Sequence, residues 1–381
     1  MKEILLLLVA ALALGLSKDS SGLEVPLKYE KAPVVSNTFF PYGYNYLQTT
    51  QNLPRGDWKL PPLTTDRPLY VLLRLGDSVH LLVTDKSKTG DKFYSRLWFD
   101  SNGDGDLTDE KPVSGLPGER NNLFTTQFPA INFMIKLEDK RLPYCLKPSL
   151  NGRMVSESSF QSGTGASFSY TVQCAYSGSF TVNGRQYRIQ VGDSNGNGRF
   201  SDYSTIADVQ NPFGRSRIYP KGDNLYITDG SKMNFNDRMP LGDLLFLNET
   251  LFYMKLDIPN GRMILTEINK GLSPLKLTLK PERFTLFIED KGHCVNMYKP
   301  SGNVTMLPAG KYRLLEYQVV CKDEKGALWR LKALGTNETP SATLAQNSEA
   351  VLQLENRICR WSTCQEKTAL HLPDGHQGIS L

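Results

Sequence analysis

Apolar and polar residues alternate with a period of two along most of the chain, and this pattern predicts short antiparallel β-strands. The stretch SFTVNGRQYRIQV is the clearest case, with Phe180 and Val182 before an Asn-Gly turn and Tyr187 after it. Asn-Gly between alternating segments is a strong hairpin signal. The same strand–turn–strand pattern occurs in LFYMKLDIPNGRMIL and RFTLFIEDKGHCVNMY. Long stretches with the 3.6-residue period of a helix are missing. We therefore expect a mainly β protein.

Turn signals and composition divide the 381 residues into four parts. Residues 1–17, MKEILLLLVAALALGLS, combine one Lys with a short apolar run, as is typical of a cleaved secretory signal peptide. Residues 18–66 are rich in Pro and aromatic residues and are expected to form an extended lead-in. Residues 67–272 are expected to form a β domain, and residues 273–381 a C-terminal Greek-key sandwich. The expected fold class is mainly β, with antiparallel β-sandwich-type domains.

The last part contains the turn and strand LPAGKYRLLEYQVVC, in which Leu315, Tyr317 and Val319 are expected to share a face. Its LPAGKYRL stretch resembles the small prealbumin-like or immunoglobulin-like modules common in secreted bacterial proteins. That resemblance implies a small β-sandwich for this region.

The charge pattern argues against a nucleic-acid partner, and the hydropathy argues against a transmembrane segment. The formal net charge is +5, and no cluster of Lys and Arg is long enough to indicate a nucleic-acid groove. After the first apolar run, no stretch approaches about twenty apolar residues, so no transmembrane segment is expected after signal cleavage. These features predict a secreted or periplasmic location.

Six cysteines occur in the chain, and none forms a CxxC or a Cys/His zinc spacing. In a secreted chain, disulfides are therefore expected. The domain boundary leaves Cys145 to pair with Cys174. Cys294 and Cys321 are expected on neighbouring strands, within the Cα spacing of roughly 5.5–6 Å that a disulfide needs. Cys359 would then pair with Cys364; the alternatives join Cys294 to Cys359 or Cys364, and Cys321 to the other.

Two stretches, DSNGDGDLTDE from residue 100 and DSNGNGRFSD from residue 193, repeat one spacing of oxygen-bearing side chains. Positions 1, 3 and 5 are Asp or Asn, position 6 is Gly and position 8 is apolar. The candidate metal ligands are Asp100, Asn102, Asp104, Asp106, Thr108, Asp109 and Glu110 in loop 1, and Asp193, Asn195, Asn197, Arg199, Ser201 and Asp202 in loop 2.

This spacing fits calcium, which takes six to eight oxygen ligands. Position 7 would contribute a backbone carbonyl, so Asp106 and Arg199 are both compatible with it. The alternative is a pair of turns that bind nothing, because Asn, Asp and Gly favour turns for backbone reasons. The repetition favours the metal, with loop 2 as the weaker site because Asn197 replaces a carboxylate and Arg199 lies nearby.

Both loops resemble the calcium loop of the EF-hand superfamily in its dockerin and thrombospondin type 3 forms, within secreted bacterial β-rich proteins. The resemblance implies calcium binding and does not by itself assign any activity. Where the standard loop closes with Glu at position 12, this chain has Lys111 and Ser204. We therefore expect loop 1 to close through Asp109 or Glu110, and loop 2 through Asp202.

Three classes of function stay open. The favoured one is a non-catalytic, calcium-stabilised binding or adhesion module for a protein, glycan or cell-surface ligand. The alternatives are a carbohydrate-active hydrolase with paired carboxylates, which spacing cannot locate in a β fold, and a structural component of the cell envelope. Gly192 begins a G-x-S-x-G match, but that motif requires a strand followed by a helix. An exposed aromatic strip would favour the binding module, and a pocket with two facing carboxylates away from the loops would favour the hydrolase.

Overall fold

The structure, a computed structural model, describes residues 22–32, 43–120, 123–153, 166–209, 217–230, 232–322, 328–335, 341–354, 369–371 and 377–380. The described part is almost entirely β-structure, with two short 3₁₀ turns at Phe235–Asp237 and Ile258–Asn260. The mainly β fold class is therefore confirmed. The predicted signal peptide lies outside the described residues.

The strands of the first half are, in chain order, β1 (Leu23–Pro26), β2 (Lys28–Lys31), β3 (Tyr44–Gln48), β4 (Leu69–Leu75), β5 (Ser78–Lys86), β6 (Tyr94–Phe99), β7 (Val113–Ser114), β8 (Leu116–Arg120), β9 (Leu123–Gln127), β10 (Ile131–Leu137), β11 (Lys140–Arg153), β12 (Ala166–Val172), β13 (Cys174–Val182) and β14 (Arg185–Gly192). Those of the second half are β15 (Thr205–Val209), β16 (Arg217–Lys221), β17 (Asn224–Thr228), β18 (Arg238–Pro240), β19 (Leu244–Leu247), β20 (Thr250–Asp257), β21 (Arg262–Ile268), β22 (Leu272–Leu277), β23 (Arg283–Ile288), β24 (His293–Tyr298), β25 (Val304–Pro308), β26 (Gly310–Lys322), β27 (Leu328–Leu334), β28 (Ser341–Leu344), β29 (Ala350–Leu352), β30 (Ala369–His371) and β31 (Gln377–Ser380).

These strands form six sheets in the described part of the chain. The long sheet has the order β1-β21-β20-β19-β24-β23-β26-β27-β31-β30, with β28 also on β26. A six-stranded sheet has the order β3-β12-β11-β9-β8, with β10 also on β11, and a five-stranded sheet has the order β18-β17-β14-β13-β2. Smaller sheets are β4-β5-β6-β7, β25-β22-β29 and β15-β16. The pairs β19/β24, β22/β29 and β27/β31 are parallel, and the other named pairs are antiparallel.

Two apolar cores lie on opposite faces of the long sheet. Leu245 and Leu247 of β19 pack into the larger core with the first half of the chain. Leu244 and Phe246 point the other way, into the core that the sheet β25-β22-β29 covers. Such a two-layer arrangement is a β-sandwich. The division at residue 272 stays a prediction, and the long sheet runs across it because β19 pairs with β24.

The lead-in, residues 18–66, contributes edge strands to three sheets and apolar side chains that cover the outer face of β4 and β5. Its strands β1, β2 and β3 each add to the edge of a different sheet. Further on, Trp58, Leu60 and Leu63 pack over the outer face of β4 and β5, together with Leu107 of loop 1. The lead-in thus buries the second face of a sheet whose first face already lies in the larger core.

The predicted hairpins are confirmed. β13 and β14 pair through the turn at Asn183 and Gly184, which have φ of 47° and 76°. β20 and β21 also pair, but their turn differs from a two-residue Asn-Gly loop. There a 3₁₀ turn ends at Asn260, and the positive φ of 62° falls on Gly261 alone.

The prediction that Leu315 shares a face with Tyr317 is wrong, because β26 contains a bulge. The register between β23 and β26 shifts between Thr285 and Leu286. Thr285 pairs with Glu316 and Leu286 pairs with Leu314, so that Leu315 has no partner on β23. As a result Tyr317 packs in the smaller core, whereas Leu315 packs on the other face against Cys294. A bulge of this kind is a tertiary feature that period-two alternation does not contain.

Two of the expected disulfides are not formed. Cys145 and Cys174 are buried free thiols, although the Cys145 backbone N–H donates to Cys174 Sγ at 3.3 Å. Cys294 is also a buried free thiol. It lies on β24, which β23 separates from the β26 strand that carries Cys321, so the two residues are not on neighbouring strands. The third expected pair, Cys359 and Cys364, lies outside the described residues.

We expect Cys145, Cys174 and Cys294 to resist alkylation by iodoacetamide in the folded protein at mildly alkaline pH. Burial excludes the reagent and raises the pKa of each thiol, which leaves little reactive thiolate. In denaturant without reductant, all three should be alkylated, as mass spectrometry of the peptides will show. A disulfide-linked Cys145–Cys174 peptide pair, whose cysteines are alkylated only after reduction, would contradict the free-thiol arrangement.

Candidate metal centre

Each of the two repeated loops begins with an aspartate at the end of a strand that leaves the protein interior. Asp100 follows β6 and Asp193 follows β14, and both side chains are fully buried. The apolar position 8 anchors each loop as expected, through Leu107 in one case and Phe200 in the other. A short polar loop is therefore held at both ends by buried groups.

The two loops share one hydrogen-bond pattern. At position 1, a carboxylate oxygen accepts from the N–H of the position 6 glycine, at 3.2 Å in loop 1 and 2.7 Å in loop 2. At position 3, the Asn oxygen accepts from the position 5 N–H at 3.0 and 3.1 Å. At position 5, the side-chain oxygen accepts from the position 7 N–H at 2.8 Å in both. The sequence repeat is thus a structural repeat.

The glycines at positions 4 and 6 have positive φ in both loops. The values are 73° and 81° for Gly103 and Gly105, and 68° and 80° for Gly196 and Gly198. Gly198 has a second reason to lack a side chain, because a Cβ there would lie 2.5 Å from the Gly76 backbone nitrogen. The backbone therefore dictates both glycines of the shared motif.

Loop 1 leaves much of its oxygen lining open to solvent. Asp100 accepts N–H groups of Gly103 and Gly105, which uses two of the roughly four lone-pair sites of a carboxylate. Asp104 is exposed, and its carboxylate contacts the Asn102 side-chain amide at 2.9 Å. Asp109 is exposed too.

The remaining polar groups of loop 1 tie it to its surroundings. Lys59 donates to Asp106 at 2.8 Å, and together with the Thr108 bonds this lowers the Asp106 pKa to about 2. Glu110 accepts from the backbone and hydroxyl of Ser101, both at 2.7 Å, and so closes the loop at position 2. Buried His80, whose pKa burial lowers, places Nδ1 2.7 Å from the Asp100 carbonyl oxygen and donates to it.

Loop 2 is closed by its own side chains. The Asp202 carboxylate accepts from the amide nitrogens of both Asn195, at 2.9 Å, and Asn197. Asp193 accepts three hydrogen bonds, including one from the buried Tyr144 hydroxyl at 2.7 Å. Asp202 thus contacts the side chains of positions 3 and 5 through their amide N–H groups, and its role in closing a calcium site stays a prediction. Half-buried Ser201 lies beside this contact in sequence.

Sequence reasoning missed Asp223, a buried carboxylate behind loop 2. It accepts from the backbone N–H groups of Ser194 at 2.9 Å and Asp202 at 3.0 Å, and so holds both ends of the loop. Burial raises the pKa of Asp223 and of Asp193, and the negative charge of Asp193 raises that of Asp223 further. No local motif marks Asp223, because it reaches the loop from the turn before β17.

The turn between β4 and β5 joins the two loops. The Gly76 N–H donates to the Asn197 carbonyl at 2.7 Å, and Asp77 forms an ion pair with Arg199 at 2.5 Å. On the other side of this turn, His80 follows within β5 and supports loop 1. The side chain of Arg199 is therefore a tie between loop 2 and this turn.

The donor chemistry fits calcium, since both loops present carboxylate, amide and backbone oxygens. Within the described ranges, no group of three or more His, Cys, Asp or Glu side chains is arranged to hold a metal. A calcium ion in loop 1 would draw on Asp100, Asn102 and Asp104. In loop 2 it would compete with the Asp202 amide contacts, because Asn195 and Asn197 turn N–H groups toward that carboxylate.

We expect calcium to stabilise the folded protein, because the folded loops assemble oxygens that the unfolded chain scatters. At calcium about a hundredfold above Kd, the gain should be roughly 2.7 kcal/mol. Melting temperatures with EDTA, calcium, and equimolar magnesium test this, and magnesium should do less because it demands stricter octahedral geometry. Identical melting curves in all three would refute calcium binding.

The two loops should differ in affinity. Asp104→Ala removes an exposed carboxylate from loop 1, and Asn197→Ala removes a neutral amide from the self-closed loop 2. We expect Asp104→Ala to reduce calcium stabilisation more, while changing stability in EDTA little. Calorimetric titration of both variants measures the difference; two equal sites, or a dominant loop 2, would contradict it.

Comparison of the chain with protein-family models, with curated proteins and with solved structures returns no match in any of the three.

Proposed function

We propose that the protein is an extracytoplasmic, calcium-stabilised β-protein that acts as a non-catalytic binding or adhesion module for a cell-surface glycan. One observation carries the proposal. Tyr44 and Tyr46 stand on the same face of edge strand β3, with their rings 5.7 Å apart and 55% and 52% exposed. Exposed aromatic pairs with hydroxyl tips are enriched at binding surfaces.

A row of uncharged hydrogen-bonding side chains continues from the tyrosines across the sheet. Tyr46 lies opposite Ser169, Ser169 opposite Ser149, and Ser149 opposite Gln127. Directly paired residues on neighbouring strands share a face, so these side chains line one face of the sheet, on which Ser169 itself is buried. We call Tyr44, Tyr46, Ser149, Asn151, Thr125 and Gln127 the tyrosine face.

Hydrogen bonds order this surface from within. Asn151 accepts from the Thr125 hydroxyl at 3.0 Å and donates to the Ser169 hydroxyl at 3.2 Å. Aromatic rings beside hydroxyl and amide groups suit a ligand that has both apolar ring faces and many hydroxyls. A glycan has both, and this match supports a glycan over a charged partner.

Loop 2 supports the strand that carries the tyrosines. Asn45, between Tyr44 and Tyr46, donates to the Asn195 carbonyl at 2.9 Å. The Tyr170 hydroxyl of the neighbouring strand donates to the Gly196 carbonyl. A cation that rigidified loop 2 would therefore also rigidify the tyrosine face, which lowers the entropy cost of binding.

The hydrolase alternative has weaker support. Buried carboxylates outside the loops contact basic side chains: Asp237 pairs with Arg283, Asp243 with His293, and Glu316 with Lys332. Removing one partner of such a pair leaves the other buried and uncompensated, so these groups are committed to their partners. The alternative of a structural envelope component predicts no saturable ligand and is tested by the same experiment.

The double variant Tyr44→Ala/Tyr46→Ala should lose glycan binding. Removing two central aromatic side chains from a binding surface costs about 2 kcal/mol or more, which is roughly thirtyfold in affinity. Binding to a panel of neutral polysaccharides is measured by affinity electrophoresis, and the best ligand is then titrated by calorimetry.

Phe235→Ala is the matched control, because Phe235 is an aromatic residue 66% exposed on another part of the surface. It should leave affinity unchanged. Saturable binding that survives the loss of both tyrosines would show that the glycan binds at another site, and would contradict the role of the tyrosine face. Absence of binding to any member of the panel would refute the glycan module.

A further inference from the structure

A polar cleft of about 460 Å³ opens beside loop 1, away from the residues of the tyrosine face. Its walls are the segment Gly56–Trp58, the turn between β4 and β5, loop 1, and the outer face of the β10–β11 hairpin. Its volume falls within the range of small-ligand sites, about 300–1,000 Å³. The cleft is therefore large enough to hold an oligosaccharide unit.

Two cations stand side by side in this cleft. Lys136 on β10 is the direct antiparallel partner of Arg141 on β11, so both side chains project from the same face. Both are exposed, and within the described ranges no carboxylate lies within 4 Å of either cationic group. Like charges in direct opposition destabilise a sheet, and an anion bound between them would relieve that repulsion.

Among the described residues, no acidic group of the cleft forms an ion pair with these cations. Asp77 pairs with Arg199 and accepts the Glu138 backbone N–H at 2.7 Å. Asp104 is bonded within loop 1 to Asn102 and to the Asp106 N–H. Asp57 is an exposed carboxylate of the same cleft. An anion is thus drawn to the Lys136–Arg141 end and repelled from the loop 1 end.

Apolar surface completes the cleft. Trp58 is fixed by its Nε1–H, which donates to the Pro54 carbonyl at 3.0 Å, and its ring lies against Gly105 of loop 1. Met134, 43% exposed, projects from β10 on the same face as Lys136. A flat ring with an apolar face can therefore pack beside the two cations.

An added peptide strand is disfavoured at this position, because the backbone of Lys136 is already satisfied. Its N–H donates to the Ser78 hydroxyl at 3.0 Å, and its carbonyl accepts the Asp77 N–H at 2.7 Å. Strand addition needs free main-chain groups on an edge. Recognition in the cleft must therefore use side chains.

We propose that this cleft binds a carboxylated oligosaccharide, with a sugar carboxylate between Lys136 and Arg141 and a sugar ring against Trp58 and Met134. The planar guanidinium of Arg141 can bind a carboxylate through two parallel hydrogen bonds, and the Lys136 ammonium adds a point charge. The cleft is separate from the tyrosine face. The proposal for the cleft does not depend on the tyrosine face binding a glycan.

The test is calorimetric titration with trigalacturonate, with a neutral trisaccharide of similar size, and with hexaglutamate, at physiological ionic strength. Trigalacturonate should bind and the other two should not. Arg141→Gln and Lys136→Gln should each weaken binding about tenfold or more, since a charge-assisted hydrogen bond contributes that much. The affinity of Arg141→Lys should fall between those of the parent protein and Arg141→Gln, because lysine keeps the positive charge and loses the two parallel hydrogen bonds of the guanidinium.

Lys255→Gln is the control, since Lys255 is an exposed cation on β20 of the long sheet, outside both the cleft and the tyrosine face. It should change affinity less than twofold, and all variants should keep the parent melting temperature. No binding of trigalacturonate, equal binding of hexaglutamate, or equal loss in Lys255→Gln would each overturn the proposal. Loss of binding in the tyrosine variant, with the cleft variants unaffected, would assign the carboxylated sugar to the tyrosine face instead.

Discussion

A carboxylate buried at the end of a strand must be satisfied by hydrogen bonds, and this requirement organises the middle of the molecule. Asp193 is fully buried and meets it by drawing the N–H groups of Asn197 and Gly198 around itself. Asp100 does the same with Gly103 and Gly105. The chain has to curl tightly about each aspartate, and this curl sets the positions of the other oxygen-bearing side chains.

The two curled loops hold separate sheets together. Loop 2 contacts the β4–β5 turn through Gly76, the six-stranded sheet through Asn45, and the turn before β17 through Asp223. Both proposed ligand surfaces therefore rest on the loops: one lies on the strand that Asn45 occupies, and the other is walled by loop 1 itself. Order in the loops and order in these surfaces are linked by direct contacts.

Features fixed by local backbone needs could be predicted from the sequence. The strands around Asn183-Gly184, the entry of a strand into each loop, and the apolar anchors Leu107 and Phe200 follow from period and turn chemistry. Asp223 and Tyr144 could not be found in this way, because they come from segments distant along the chain. The bulge at Leu315 and the separation of Cys294 from Cys321 were missed for the same reason: strand order is a tertiary property.

The three short strands of the lead-in bear on how the chain acquires its structure during synthesis. Gln48 of β3 pairs with Ser167, Lys31 of β2 with Cys174, and Leu23 of β1 with Leu265. A growing chain therefore carries these segments without partners until those distant residues have been made. Contacts of such long sequence separation slow folding and leave strand edges open to aggregation. A chaperone that binds extended segments would find its substrate in β1, β2 and β3 until those partners have been made.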